Sequence, residues 1–214
     1  MEQTYAIELK NITKRFGKIV ANDGINLKVK RGEILSLLGE NGSGKTTLMN
    51  MISGIYFPDE GRILVDGKAV SIRSPKDSFD LGIGMIHQHF KLIDVMTAAE
   101  NIILGLKGNA VLDMKKVHKD IQELVDRYGF DLDPAQKVYT MSVSQKQTVE
   151  IVKMLYRGAN ILILDEPTAV LTPQEVDKLF EVLRNMRDDG RAIIIITHKL
   201  NEVLELSDRV AILR

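Results

Sequence analysis

The stretch that decides the fold lies at residues 39–47 and reads Gly39-Glu40-Asn41-Gly42-Ser43-Gly44-Lys45-Thr46-Thr47. It matches the pattern GxxxxGK[ST], and it lies between an apolar run at residues 34–38 and a helical pattern that begins near Lys45. Glycines there let successive backbone N–H groups point at phosphate oxygens, and the helix N-terminus adds partial positive charge. Lys45 supplies a full charge and Thr46 a hydroxyl for Mg²⁺. The stretch predicts a phosphate-binding loop, whereas the alternative is a Gly-rich turn with an incidental lysine.

A second motif, at residues 161–166, is an apolar strand that ends abruptly in two carboxylates, Asp165 and Glu166. Successive strand residues point to opposite sides, so the two acids have different tasks if the strand geometry persists. Asp165 is placed to hold Mg²⁺ through water, and Glu166 to act on an attacking water as general base or orienter. A solvated acidic strand end is the alternative interpretation, and the upstream phosphate loop weakens it.

Outward from these motifs, short β-branched runs alternate with longer amphipathic stretches, which is typical of layered α/β folds. Runs that are apolar on both faces predict buried strands at residues 34–38, 161–164, 192–197 and 210–213. These four runs predict a parallel core.

A hairpin is predicted at Asp66-Gly67, a strong two-residue turn signal between the strand patterns at residues 62–65 and 68–72. Further strands are expected near residues 6–9 and 25–29. The hairpin and these strands indicate an antiparallel patch beside the parallel core.

Strand signals vanish between residues 97 and 158, where apolar residues fall at helical spacing before Gly129. They are Val117, Ile121, Leu124, Val125 and Tyr128. The pattern predicts one domain, residues 1–214, with a core formed by residues 1–96 and 159–214 and an inserted helical subdomain at residues 97–158.

A later helix is predicted to open at Thr172, because Thr172-Pro173-Gln174-Glu175 is a capping box with proline at the first helical position. Its apolar face would contain Val176, Leu179, Phe180 and Leu183. The helix would follow directly on the loop after the two carboxylates.

Composition excludes several classes of protein. Lys+Arg and Asp+Glu are equal at 29 each, so no global field attracts nucleic acid, and the absence of cysteine excludes disulfides. No apolar run approaches the roughly 18 residues that span a bilayer, and the N-terminus lacks a signal-peptide pattern. These features predict a soluble, cytoplasmic domain.

The two half-sites and their surroundings resemble the ATPases of ABC transporters over essentially the whole chain. The resemblance implies an α/β P-loop NTPase fold of ABC type, with a mixed sheet core, an antiparallel patch and an inserted helical subdomain. ATP and Mg²⁺ are the implied cofactors, and nucleotide contacts are expected from Gly39, Asn41, Gly42, Ser43, Gly44, Lys45, Thr46 and Thr47. The implied metal-site residues are Thr46, Gln88 and Asp165.

Three single residues gain roles from this resemblance. Phe16 would stack on adenine, Gln88 would bridge Mg²⁺ to the membrane-facing lid, and His198 would hold Glu166 and the water in line with the γ-phosphate. Taken alone, each has an ordinary alternative as a core, loop or surface residue. His87 and His89 flank Gln88, but without further clustered ligands they do not indicate a transition-metal site.

The family's signature motif, normally close to LSGGQ, matches residues 141–145, Met-Ser-Val-Ser-Gln. In the family this helix N-terminus faces the γ-phosphate held by a second domain, so Ser142, Ser144 and Gln145 are expected to contact nucleotide in trans. A plain serine N-cap is the alternative. Ser144 replaces the second glycine and Thr148 the usual arginine, and Thr172 ends a loop that many relatives end in aspartate.

The motifs together look like the first half of the ATPases that serve simple-sugar and nucleoside importers, and the expectation is a chain truncated from a longer two-domain protein. The implied partners are a second ABC ATPase domain, permease subunits and indirectly a solute-binding protein, at the cytoplasmic face of the membrane, with no nucleic acid. Alternatives are another small-solute importer, a soluble non-transport ABC ATPase, or a domain that binds ATP without hydrolysing it.

Overall fold

The computed structural model describes residues 5–88, 90–106 and 113–214, and these form nine strands and seven α-helices. In chain order they are β1 (Tyr5–Phe16), β2 (Ile19–Lys30), β3 (Glu33–Leu38), α1 (Lys45–Ile52), β4 (Glu60–Val65), β5 (Lys68–Val70), α2 (Pro75–Asp80), β6 (Ile83–Ile86), α3 (Ala98–Ile103), α4 (Met114–Tyr128), α5 (Val143–Tyr156), β7 (Ile161–Asp165), α6 (Pro173–Asp188), β8 (Ala192–Thr197), α7 (Leu200–Leu206) and β9 (Arg209–Ile212). A short 3₁₀ turn, Val138–Thr140, precedes α5.

A parallel sheet of five strands, ordered β6-β7-β8-β3-β9, forms the centre of the protein. Its middle strands are buried on both faces, as their mostly apolar sequences predict. The register pairs Leu38 with Thr197 and Asp165 with Ile196, so β3, β7 and β8 end at one edge. The segments that follow these strands therefore emerge side by side.

The antiparallel strands form a separate sheet, ordered β2-β1-β4-β5. Asp66 and Gly67 both have positive φ, 48° and 77°, as a type I′ hairpin turn between β4 and β5 requires. One apolar core lies between this sheet, α1 and one face of the parallel sheet. The predicted antiparallel patch beside a parallel core is confirmed.

Helices α3, α4 and α5 occupy residues 98–156 and surround an apolar cluster of their own. Helix α4 begins at the N-cap Asp113, ends at Gly129 with φ 76°, and buries Val117, Ile121, Val125 and Tyr128. The helical spacing predicted this buried face. Helix α5 begins after Ser142 and ends at Tyr156.

Helix α6 covers the other face of the parallel sheet. It has the predicted capping box, in which Thr172 accepts from the Glu175 backbone, and Pro173 begins the helix. Leu179, Phe180 and Leu183 are buried, and Val176 packs against the same cluster. Strand β6 and helices α2 and α7 are short elements that the sequence pattern did not predict. In the described ranges no helix has the length and apolarity to cross a bilayer.

Candidate active site

The loop between β3 and α1 is shaped by close backbone packing. Gly44, the N-cap of α1, has φ 90° and ψ 6°, and a Cβ at this position would lie 2.3 Å from the Ala21 carbonyl oxygen. Only glycine fits both constraints. Because its N-cap is a glycine, α1 has no capping side chain at that position, and its first turn contains no acidic residue. Its first backbone N–H groups therefore lack intrahelical partners and can bind an anion.

Lys45 is buried beneath this loop, with 7% of the residue exposed. Its ammonium donates to the carbonyl oxygens of Gly39 and Glu40, at 2.7 and 2.8 Å. Both acceptors are neutral carbonyl groups, and among the described residues no carboxylate forms an ion pair with this ammonium. A phosphate group would supply the opposite charge.

Two buried polar atoms near the loop, Ser43 Oγ and Asn22 Oδ1, have no hydrogen-bond partner among the described residues. Asn22 also donates through Nδ2 to the Gly44 carbonyl oxygen, at 3.3 Å. Such orphaned polar atoms are costly unless a ligand or water satisfies them. The loop thus fits a polyphosphate. Sequence reasoning missed Asn22, because no local signal indicates that β2 packs against this loop.

The second of the two carboxylates, Glu166, does not continue the strand. Strand β7 ends at Asp165, and Glu166 has φ 50°, in the left-handed region that side chains other than glycine rarely adopt. Its backbone N–H donates to the Ile196 carbonyl oxygen at 2.9 Å. The strand geometry does not persist through Glu166, so Asp165 and Glu166 do not simply point to opposite sides of a strand. The direction of the Glu166 side chain is set by the turn in the backbone. A backbone held in this region is typical of functional sites.

Glu166 contacts His198, the residue that follows β8. His198 Nδ1 lies 2.8 Å from Glu166 Oε1, and the acceptor-only carboxylate requires Nδ1–H to be the donor. The Glu166 side chain is 15% exposed and that of His198 57%. The second carboxylate oxygen, Oε2, is buried and has no partner in the described part of the chain. Glu166 thus keeps one oxygen for a further ligand.

Asp165 is electrostatically strained. Burial raises the pKa of its carboxyl above the usual range, and the neighbouring charge of Glu166 raises it further, while Lys45 opposes both. The charges of the strand end and of the phosphate loop therefore act on one another. Two carboxylates of like charge at a buried edge fit a divalent cation, whose hard oxygen ligands they would be.

Gln88 lies at the same edge. It lines a cleft of about 20 Å³ together with Asp165, Glu166 and Gln147. Gln147, on α5, is 4% exposed and donates to the Pro167 carbonyl oxygen at 2.9 Å. Sequence reasoning missed Gln147, although its place in the signature helix was a signal. His89, which follows Gln88, lies outside the described residues.

Phe16 ends β1 at the hairpin with β2. The residue is 41% exposed, and its ring meets that of Tyr56 edge to face, with centroids 5.1 Å apart. Asn22, farther along β2, contacts the phosphate loop. An exposed aromatic on the strand that pairs with β2, near its contact with the loop, can stack on a nucleobase.

The signature segment is saturated with internal hydrogen bonds. The Ser142 side chain accepts from the Gln145 backbone, and the Gln145 side chain accepts from the Ser142 backbone, so both halves of a capping box are present. The N-cap interpretation therefore holds for Ser142. Ser144 Oγ donates to Glu175 Oε1 on α6, at 2.6 Å. Among the described residues, no hydrogen bond joins this segment to residues 39–47.

A family comparison agrees with this geometry. The family model described as ABC transporter matches residues 22–169. The match spans the phosphate loop, the signature segment and the two carboxylates. The chain belongs to the ABC transporter family, and its fold is that of an ABC-type P-loop NTPase.

Curated relatives cover essentially the whole chain. It is 50% identical over 216 residues to the nucleoside import ATP-binding protein NupA of Lactococcus lactis subsp. cremoris, covering 100% of this chain and 43% of that protein. It is 53% identical over 212 residues to the guanosine import ATP-binding protein NupO of Bacillus subtilis, covering 98% and 42%. It is 44% identical over 216 residues to the ribose import ATP-binding protein RbsA 2 of Escherichia coli O157:H7, covering 100% and 43%. The chain spans less than half the length of these relatives.

Solved structures show the same fold. The ADP conformation of MJ1267, an ATP-binding cassette of an ABC transporter, superposes with a TM-score of 0.87 at 26% identity, covering 98% of this chain and 87% of that one. MJ0796, a bacterial ABC transporter cassette solved as a dimer, superposes with a TM-score of 0.81 at 28% identity, covering 97% and 94%.

Proposed function

We propose that this chain binds Mg-ATP and hydrolyses it as the nucleotide-binding domain of a membrane importer for nucleosides or simple sugars. The observation that carries the proposal is the pair formed by Glu166 and His198, 2.8 Å apart at the sheet edge where the phosphate loop also begins. This edge combines a buried ammonium, a carboxylate with a raised pKa and a carboxylate with one unsatisfied oxygen.

On the phosphate side, Lys45 and the N-terminus of α1 bind the β- and γ-phosphates, and Phe16 stacks on the adenine. Thr46, Asp165 and Gln88 are the residues that would hold Mg²⁺, which supplies charge neutralisation at the phosphates when bound. Glu166 accepts a proton from, or orients, the attacking water through its free oxygen, and His198 fixes the other oxygen. The buried surroundings strengthen these charge interactions.

The signature side acts on a second nucleotide. Ser142 lies at the N-terminus of a 14-residue helix, where a hydroxyl and the helix dipole favour an anion. Because it shares no hydrogen bond with residues 39–47 in the described chain, we assign it to the nucleotide of a partner ABC domain. The dimeric cassette MJ0796 has a closely similar fold, which supports this arrangement. Two ATP molecules would then lie between two domains arranged head to tail.

The solute and the other partners come from the relatives. NupA and NupO are named as nucleoside and guanosine import proteins, and RbsA 2 as a ribose import protein. We therefore propose permease subunits as partners and the inner face of the membrane as the location. The segment around Gln88, between β6 and the helical segment, would transmit closure of the pair to the permease.

The test is an ATPase assay of the purified chain against protein concentration. Turnover per molecule should rise with concentration, because each nucleotide needs the signature of another chain. The same chain with Lys45→Met measures any contaminating hydrolysis. High turnover that is unchanged on dilution would refute the trans arrangement, and absent Mg-ATP binding would refute the proposed function altogether.

A further inference from the structure

The family glycine at position 144 is replaced by a serine whose hydroxyl connects two helices. Ser144 Oγ lies 2.9 Å from Ser142 Oγ on one side and 2.6 Å from Glu175 Oε1 on the other. The three groups form a hydrogen-bonded chain from the exposed Ser142 at the start of α5 to the start of α6. Ser144 and Glu175 are 31 residues apart in sequence.

The direction of the protons in this chain follows from its chemistry. An ionised carboxylate only accepts, so Ser144 donates its single hydroxyl proton to Glu175. Ser144 then has none to offer Ser142, and Ser142 must be the donor to Ser144. Ser142 Oγ also accepts from the Gln145 N–H at 3.2 Å. The Ser142 oxygen is thereby held at one position by two hydrogen bonds of opposite sense.

Glu175 is ionised for a local reason. Its hydrogen bond from Ser144 and its bonds from the Thr172 backbone and hydroxyl hold the pKa of the carboxyl below the usual range. Oε2 accepts from Thr172 N and Oγ1, at 2.9 and 3.0 Å, while Oε1 accepts from Ser144. One carboxylate therefore joins the N-terminal caps of α5 and α6.

A second link joins the same two regions. Gln147, one turn into α5, donates to the Pro167 carbonyl oxygen directly after Glu166. Helix α5 is thus hydrogen-bonded to both ends of the segment that runs from Glu166 to the cap of α6, through Gln147 at Pro167 and through Ser144 at Glu175. A displacement of either region would be felt by the other.

We propose that Ser144 and Glu175 are positioning residues that fix the Ser142 hydroxyl for the γ-phosphate of the partner domain's ATP, and this rests on the proposed function above. With only the cap bond from the Gln145 N–H, an exposed serine can still leave this rotamer, and ordering it again on closure opposes binding. On closure Ser142 turns its proton to the phosphate and Ser144 turns its own from Glu175 to Ser142, so the Ser142 oxygen keeps its position and two hydrogen bonds. The serine that departs from the family pattern contributes a contact that glycine cannot make.

The test uses a matched pair, Ser144→Val and Ser144→Thr, because valine and threonine have the same shape and differ in the hydroxyl. ATPase activity of the chain is measured at saturating Mg-ATP, together with Mg-ATP affinity and melting temperature. Ser144→Val should lower kcat about five- to tenfold, the effect of one hydrogen bond, and Ser144→Thr should restore most of it. Mg-ATP affinity should be the same in both, because the chain's own phosphate loop is unchanged.

Glu175→Gln supplies the second measurement, since glutamine can retain the capping box of α6. It should lower kcat by a similar factor, and the Ser144→Val, Glu175→Gln double variant should lose no more than either single variant. Equal kcat for valine and threonine at position 144, or additive losses in the double variant, would overturn the inference alone. Absent hydrolysis by the unmodified chain would instead overturn the proposed function on which it rests.

Discussion

The phosphate side and the signature side of this domain differ in how their polar groups are satisfied. On the phosphate side, Ser43 Oγ and Glu166 Oε2 are buried without partners in the described chain, and the pKa of Asp165 is raised by burial. On the signature side, Ser142 has both halves of a capping box, and hydrogen bonds lower the pKa of Glu175. The first region is frustrated in the free protein and the second is relaxed.

The difference teaches where stability and binding are in conflict. Buried polar and charged groups that fit a cation and a polyphosphate lower the stability of the ligand-free protein, because nothing in the described part of the protein satisfies them. This is the usual trade-off between stability and function at an active site. The helix cap at Ser142 has no such cost, because hydrogen bonds within the chain already satisfy its polar groups before another domain binds. Substitutions on the two sides should therefore have opposite effects on folding.

The largest expected effect is on hydrolysis from the phosphate side. Glu166→Gln keeps the side-chain shape but removes the proton acceptor, so turnover should fall by about 100-fold or more while Mg-ATP still binds. ATPase assays and equilibrium nucleotide binding check this. Glu123→Gln, an exposed substitution of the same kind on α4, is the control and should leave both unchanged. Undiminished turnover in Glu166→Gln would remove Glu166 from the proposed role.

A smaller effect is expected from the signature side. Ser142→Ala should lower turnover about tenfold through a lost hydrogen bond to phosphate, and should cost about 1 kcal/mol of stability through the lost helix cap. Thr97→Ala separates the two causes, because Thr97 caps α3 with the same capping box. The Thr97 variant should lose similar stability but keep its turnover. Equal turnover losses in the two variants would mean that Ser142 serves only as a cap.

The smallest effect is a gain in stability. The pKa of Asp165 is raised in the folded protein, so the folded state binds this proton more tightly than the unfolded state does. The resulting stabilisation is fully present below the ordinary pKa of 3.8 and is lost as pH rises through the pKa of the folded state. At neutral pH the ionised group is therefore destabilising, and Asp165→Asn should raise the melting temperature. The gain should shrink on acidification toward pH 3.8.

Thermal melts at several pH values without nucleotide check this prediction, and Asp177→Asn, an exposed change on α6, is the control. A lower melting temperature for Asp165→Asn at neutral pH would contradict the frustration assigned to the phosphate side.

Local signals in the sequence predicted most of the fold. The buried strands have mostly apolar runs, the Asp66-Gly67 turn requires positive φ, and Thr172 begins α6 with a complete capping box. Strand β6 was missed because its four residues include a glycine and show no period. Each confirmed element depends on residues close together in the chain.

The parts of the candidate site that could not be predicted depend on contacts between distant residues. Asn22 reaches Gly44 from 22 residues away, and Ser144 reaches Glu175 across 31. The left-handed backbone at Glu166 arises where β7 meets β8, and no propensity of glutamate favours it. Motifs identified which residues belong to the site, whereas tertiary packing sets their directions.

The position of Lys45 has a consequence for selectivity among ligands. Its ammonium donates to two carbonyl oxygens of its own loop, which leaves one of its three N–H groups for a further acceptor. A charged phosphate oxygen is a stronger acceptor for this N–H than a neutral group, and an uncharged nucleoside has no such oxygen. We therefore expect Lys45 to favour a nucleotide over the corresponding nucleoside, even where both stack on Phe16 equally well.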